Sequence, residues 1–295
     1  MNRLLNHLLR FSTAALLLIT LFPACQKETI PIEEPERVYQ NPETRMDLSY
    51  GKSKSQKMDL YLPGGRSNKT TRIVLILHGG GWFQGDKEEM QLFVPQIEKW
   101  MKEYAIVNMN YRLVNFSPQY MLPTQTDDIR SVMDHLANHS SDYGVKPEFV
   151  LLGFSAGGHL SMLYAYHYDE EKRVKAIVNM VGPCDLTDPA YTDVPLYTLG
   201  MNYIIDKSKL PSGMEANRFA SPVTWMSPSS APIISFYGKS DGLVPNSQYE
   251  ALETKCRENH IPYEIHLYDG GHDIGQTNSE EVIGKAAAFV RKYVK

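Results

Sequence analysis

Gly153-Phe154-Ser155-Ala156-Gly157 is the stretch on which the reading of this chain turns. It follows the short apolar run Phe149–Leu152 (FVLL) and opens a segment, Ala156–Tyr168, that reads as a helix. The pattern G-x-S-x-G between a strand and a helix puts a serine on a sharp turn with its hydroxyl exposed. The glycines two positions either side remove side chains that would collide where the chain reverses. A tight turn with a serine cap would give the same five letters, so the rest of the chain has to decide.

Outward from this turn, strands and helices alternate. Ile73–His78 (IVLILH) is a near-continuous apolar run, as expected of a strand covered on both faces. Tyr104–Asn110, Val174–Val181, Pro232–Tyr237 and Tyr263–Tyr268 read as further strands, and Met46–Tyr50 and Lys57–Leu62 as a pair around the turn-like Gly51–Gln56. Glu88–Met101, Thr124–Asn138, Asn246–Glu258 and Ser279–Tyr293 carry helical spacing; in the first, Met90, Phe93, Val94, Ile97, Trp100 and Met101 share one side. This order predicts an α/β protein with a mostly parallel central sheet and helices on both faces. Gly182–Ala231, about 50 residues with six prolines and several aromatics, is too long for a simple connection and is expected as an insert of loops and short helices. It precedes the strand at Pro232–Tyr237 and should lie over the sheet end where open α/β sheets place their ligands.

Three further segments bear on Ser155. His78-Gly79-Gly80-Gly81-Trp82 follows the strand at Ile73–Leu77, and its consecutive glycines let backbone N–H groups approach a substrate oxygen unobstructed. The expected oxyanion donors are Gly80 and Gly81, with Ala156 from the serine turn; the Trp82 N–H is a further candidate. His78 itself reads as a packed or hydrogen-bonded residue holding the loop. Asp241, in Tyr237-Gly238-Lys239-Ser240-Asp241-Gly242, follows a second strand, and His272, in Asp269-Gly270-Gly271-His272-Asp273, follows a third. A serine hydroxyl needs a base, and the base needs an orienting carboxylate. The chain order serine, acid, base makes Ser155, Asp241 and His272 the candidate catalytic set. Asp269 and Asp273 flank the base but follow no separate strand. His159, one helical turn beyond Ser155, reads as structural, and His135, His139, His167, His260 and His266 as packed or solvated.

At this point the chain resembles a known group. HGGGW, GFSAGGH, YGKSDGLVP and DGGHDI together are similar to segments of the α/β-hydrolase fold, within it the hormone-sensitive-lipase-like esterases, and more narrowly the BD-FAE-like acetyl and feruloyl carbohydrate esterases. The resemblance runs from about Arg37 to Lys295 and includes Met58-Asp59-Leu60-Tyr61-Leu62-Pro63 and Asn110-Tyr111-Arg112-Leu113. Asp128 also resembles a residue of that group, and pairing with Arg112 is expected. The resemblance implies a serine-dependent carboxylic ester hydrolase acting on a small ester or an acylated carbohydrate, without metal or organic cofactor. Kynurenine-formamidase-like and peptidase-like enzymes carry related motifs, so an amidase or peptidase is the alternative, with a non-catalytic carbohydrate-binding protein behind it. The insert aromatics Tyr191, Tyr197, Tyr203 and Trp225 suit sugar faces or an apolar lid.

The beginning of the chain reads differently. Arg3 and Arg10 precede or border the short apolar run Phe11–Phe22, which ends at Pro23-Ala24-Cys25. A positive start, a short apolar stretch and a small residue before a break describe a signal peptide over 1–24. A cysteine directly after Ala24 resembles a bacterial lipoprotein site, which makes Cys25 the expected lipid attachment and 25–36 a tether, ahead of a catalytic domain over 37–295. The expected address is therefore exported and membrane-anchored through the lipid alone, or else secreted and soluble. A net charge of −4 with interspersed signs excludes nucleic acid as the main partner. Three cysteines are too few for a disulfide scaffold; Cys184 and Cys256 are expected either as a pair or, at least as readily, as buried thiols.

Overall fold

The computed structural model describes residues 36–115, 117 and 120–295. The expected signal segment, Cys25 and the tether up to residue 35 lie outside them. Among the described residues the strands are β1 (Val38–Tyr39), β2 (Glu43–Ser49), β3 (Lys57–Leu62), β4 (Arg66–Ser67), β5 (Ile73–Leu77), β6 (Ala105–Met109), β7 (Phe149–Phe154), β8 (Val174–Met180), β9 (Ile233–Gly238) and β10 (Tyr263–Tyr268). All but β1 and β4, which pair with each other, form an eight-stranded sheet in the order β10-β9-β8-β7-β5-β6-β3-β2. The six strands from β6 to β10 along this order are parallel, and β3 and β2 add an antiparallel edge.

Alternation along each strand explains the layers. Ile73, Leu75 and Leu77 of β5 pack into one apolar cluster, and Val74 and Ile76 into the other. The first cluster takes Ile129, Val132, Met133 and Leu136 from the helix Thr124–Asn138, Leu160 from the helix Ala156–Leu163, and Leu252 and Cys256 from the helix Ser247–Glu258. The second takes Ile97 from the helix Val94–Trp100, and Val282, Ile283, Ala286, Phe289 and Val290 from the helix Ser279–Tyr293. Helices thus cover both faces, as the alternation of elements predicts. From β5 the chain moves outward to β6, then returns to the opposite side of β5 to form β7, so the strand order reverses between β5 and β7. Ligands of open α/β sheets bind in the crevice beyond the strand ends at such a switch point. The turns carrying Gly79–Trp82 and Ser155 are the two that leave it.

Some boundaries depart from the sequence reading. The segment expected as one helix over 88–101 is a 3₁₀ helix, Lys87–Phe93, followed by the α-helix Val94–Trp100. Pro95 accounts for the break, since a residue without N–H is tolerated only in the first turn of an α-helix. The helix expected to reach Tyr168 is regular to Leu163 and widens into a π turn over Tyr164–Tyr168. Strand β2 starts at Glu43 and meets β3 through a bulge between Arg45 and Leu48, where Asp47 adopts φ +55°. The segment between β8 and β9 forms short helices, Pro189–Thr192, Pro195–Ile204, Lys207–Lys209, Ala216–Ala220 and Pro222–Trp225. Cys184 and Cys256 are unpaired and buried, and burial pushes both thiols up, Cys256 to about 12.

The expected pair of Arg112 with Asp128 forms, and it is more than a pair. The fully buried Asp128 carboxylate accepts the Arg112 backbone N–H at 2.7 Å, a guanidinium N–H at 2.6 Å and the Gln56 amide at 2.8 Å. It thereby pins the segment after β6 against the helix Thr124–Asn138, and two residues on the Val114 N–H donates to the Trp82 carbonyl at 2.8 Å. Asp128→Ala leaves these donors without their acceptor and is expected to lower stability by about 3 kcal/mol, measured as a fall in the urea midpoint.

Candidate active site

The serine turn is built by exclusion of side chains. Ser155 sits at φ +53°, ψ −118°, a sparsely populated conformation for a residue with a Cβ. It persists because its surroundings over-determine it. The Ser155 N–H donates to the Met180 carbonyl of β8 at 2.8 Å, and β7 and the following helix close against each other at the two glycines. A Cβ on Gly153 would lie 2.2 Å from the Gly157 carbonyl oxygen, and one on Gly157 would lie 2.3 Å from that of Leu77. Both obstacles are backbone, so neither can step aside cheaply. Gly157→Ala is expected to cost about 2–4 kcal/mol by forcing the helix away from β5, read as a lower thermal midpoint together with lost activity.

The structure brings Ser155, Asp241 and His272 together from the ends of β7, β9 and β10. The Ser155 hydroxyl lies 2.8 Å from His272 Nε2, and His272 Nδ1 lies 2.8 Å from Asp241 Oδ2. A carboxylate can only accept, so Nδ1 carries the proton and Nε2 keeps a lone pair facing the hydroxyl. The Asp241 side chain is 1% exposed. Its other oxygen accepts the N–H groups of Leu243 and Val244 at 2.8 and 3.0 Å. Burial alone would raise the Asp241 carboxyl, but the bonds from His272 and these two amides outweigh it and hold the group below the ordinary carboxylate range. Asp269 instead pairs with Lys239 at the surface.

The glycine loop takes three positive φ values in succession, +101° at Gly80, +58° at Gly81 and +69° at Trp82. Gly80 can be nothing else, because a Cβ there would lie 2.0 Å from the Gln84 carbonyl oxygen. Gly81, Trp82 and Ala156 line the cavity that Ser155 opens into, and the Gly80 carbonyl accepts the Phe83 and Gln84 N–H groups. His78 is buried and stacks on Tyr111 at 4.2 Å, and burial lowers its pKa. The Tyr111 hydroxyl donates to the carbonyls of His78 and Gly79, so the pair anchors the loop's start.

The cavity holds about 450 Å³. Opposite the glycine loop it is walled by Pro183, Leu186, Ala190, Tyr191, Val194 and Tyr197 of the segment after β8, and Leu243 and Val244 close it beside Asp241. No lysine or arginine of the described residues lines it. Tyr191 and Tyr197 stack at 4.7 Å. The other insert aromatics named above are elsewhere: Trp225 stacks on His167 at 3.5 Å, and Tyr203 is half exposed away from the cavity. Among the described residues no group of three or more His, Cys, Asp or Glu is placed to hold a metal ion.

Sequence reasoning missed the residues that secure the loop's far end. Lys87 is buried and bonds Asp59 of β3 at 2.9 Å and Asp47 at 3.0 Å, while its backbone N–H donates to Asn110 at 2.6 Å. The signal was available in Asp59, a lone acid in the otherwise apolar run from Met58 to Leu62, since such a group is buried only with a partner. His159, expected as structural, is fully buried and lies off the cavity, with Trp82 and Ala220 as partners.

The family model for BD-FAE matches residues 58–256. The chain belongs to the BD-FAE family. Among curated proteins, this BD-FAE chain is similar to a probable carboxylic ester hydrolase, LipM, of Mycobacterium tuberculosis, at 26% identity covering 79% of this chain and 58% of that protein. It is also similar to a kynurenine formamidase of Danio rerio, at 29% identity covering 55% of this chain and 54% of that one. The chain spans about half the length of the curated relatives it matches. Among solved structures it resembles a truncated carbohydrate esterase from gut microbiota, with TM-score 0.71 at 18% identity over 88% of this chain and 100% of that one. It also resembles esterase B from Lactobacillus rhamnosis, with TM-score 0.64 at 23% identity over 87% of this chain and 88% of that one. The fold of this BD-FAE chain is that of an α/β-hydrolase.

Proposed function

We propose that the chain is a serine-dependent carboxylic ester hydrolase that removes an acyl group from a carbohydrate. The observation that carries this reading is the line of hydrogen bonds from Asp241 through His272 to a serine hydroxyl held at a strained turn in the cavity. Ser155 Oγ attacks the ester carbonyl as its proton passes to His272 Nε2. Asp241 orients the ring and stabilises the imidazolium. The carbonyl oxygen, now an anion, is met by backbone N–H groups of Gly80, Gly81 and Ala156. Collapse breaks the bond to the alcohol, which leaves with the His272 proton. Water, giving its proton to His272, then attacks the acyl-Ser155 ester and releases the acid.

The walls favour an uncharged acyl group, because the cavity offers apolar surface and, among the described residues, no lysine or arginine to receive an anionic one. A carbohydrate as the alcohol is supported by the named activities of fold neighbours, among them a carbohydrate esterase and an acetyl ester-xyloside bifunctional hydrolase from Caldicellulosiruptor lactoaceticus. The export and the Cys25 attachment expected from the sequence would suit a substrate outside the cell. The formamidase relative supports a second reading, cleavage of a small amide by the same residues. Incubation with acetylated xylan, a feruloylated oligosaccharide and a matched acetamide distinguishes them. The proposal expects acid released from the esters at rates at least about a hundredfold above the amide; preferential amide cleavage would favour the second reading.

A further inference from the structure

We infer that His159 is a positioning residue that ties the glycine loop to the opposite wall of the cavity and so holds the oxyanion donors in aim. The inference rests on the serine-esterase reading above. His159 is one helical turn beyond Ser155, is completely buried and does not reach the cavity. The Trp82 indole N–H donates to His159 Nδ1 at 3.2 Å. An indole can only donate, so Nδ1 bears the lone pair and the proton sits on Nε2, which donates to the Ala220 carbonyl at 2.7 Å. Both ring nitrogens are therefore engaged in one tautomer. Burial holds the ring down to about 4, so it stays neutral and keeps its acceptor at working pH.

One end of this bridge lines the cavity and the other lies behind a residue that does. Trp82 is the third residue of the positive-φ run, and a tryptophan holds φ +69° only where its surroundings insist on it. Its carbonyl is fixed by Val114 and its indole by His159, so Trp82, the residue next to Gly81, is held by both its backbone and its side chain. On the other side, Ala220 is followed by Ser221, whose hydroxyl oxygen accepts the N–H of Leu186 at 2.8 Å, and Leu186 lines the cavity. An apolar ring would fill the same space. Only a group that accepts on one side and donates on the other sets the distance between the loop and the insert.

The test compares His159→Phe and Trp82→Phe, which remove the bridge from either end while keeping an aromatic ring, with the double variant and with His159→Gln. Steady-state turnover of p-nitrophenyl acetate, thermal midpoint and fluorophosphonate labelling of Ser155 are measured for each. The inference expects kcat to fall about tenfold or more in either Phe variant with KM changed less than threefold. It expects the double variant to be no worse than the poorer single one, because both break one bridge, and His159→Gln, which retains an acceptor and a donor, to recover part of the loss. Unchanged kcat with a lowered midpoint, or losses that multiply in the double variant, would overturn it. Should His159→Phe not fold, unchanged kcat in Trp82→Phe overturns it alone. A parent protein whose ester turnover does not depend on Ser155 would overturn the underlying reading, an outcome distinct from unaffected variants of an active parent.

Discussion

Ser155→Ala is expected to lower kcat/KM toward simple esters by about 10⁵–10⁶, while the folded protein is retained. The substitution removes one oxygen atom. Ser155 makes no side-chain capping bond to the helix that follows it, and alanine meets the same backbone strain at φ +53° that serine does. Stability should therefore change by less than about 1 kcal/mol, within what surface-type substitutions produce. What disappears is the atom that forms the acyl-enzyme. The amides of Gly80, Gly81 and Ala156 and the binding walls remain, and such remnants sustain about 10³–10⁴ over the uncatalysed rate. Progress curves with p-nitrophenyl acetate, alongside circular dichroism of the same samples, read both halves of the expectation. Loss of activity through unfolding and loss through missing chemistry are thereby separated.

Asp241→Asn is expected to reduce kcat by about 10⁴ with KM nearly unchanged. Asp241 lies behind His272 and offers His272 an acceptor on one oxygen, while Leu243 and Val244 occupy the other. An asparagine in the same place keeps its carbonyl oxygen on those two backbone amides. Its NH₂ group then faces Nδ1, which must become an acceptor. The proton moves to Nε2, and the nitrogen facing Ser155 can no longer receive the hydroxyl proton. The substitution is nearly isosteric, so binding survives while the tautomer is wrong. Stability should depend on pH in a related way. The native Asp241 pKa is depressed, so its contribution is present above the ordinary carboxylate range and is lost as pH falls through the lower native value. Asp241→Asn should be correspondingly less sensitive to acid over that interval.

How much of this was legible in the sequence follows from what each residue contacts. Strands β5 and β7 are apolar on both faces because both faces are covered, and a run such as Ile73–Leu77 announces that directly. Ser155, Asp241 and His272 were legible because each follows a strand of one parallel sheet, which brings their turns to a common edge whatever the intervening lengths. The break at Pro95 was written in the sequence but masked by the helical spacing of Met90 to Met101, which a 3₁₀ turn also satisfies locally. His159 was harder. Its letter fits a packed histidine, and only the coordinates of Trp82, remote in sequence, and of Ala220 in the insert show that both its nitrogens are in use. Tyr191 and Tyr197 meeting at the cavity, with Trp225 turned to His167, could not be read either. The insert has no repeat or alternation from which to assign its inner face.

The claim at the centre of this account is a covalent intermediate on Ser155. Acid-quenching the protein during turnover of p-nitrophenyl acetate, followed by peptide mass spectrometry, tests it most directly. One acetyl group is expected on the peptide containing Ser155, accumulating in step with the burst of p-nitrophenol and absent in Ser155→Ala. Turnover with no acylated Ser155 peptide, or the acetyl group found on another residue while Ser155→Ala remains active, would contradict it.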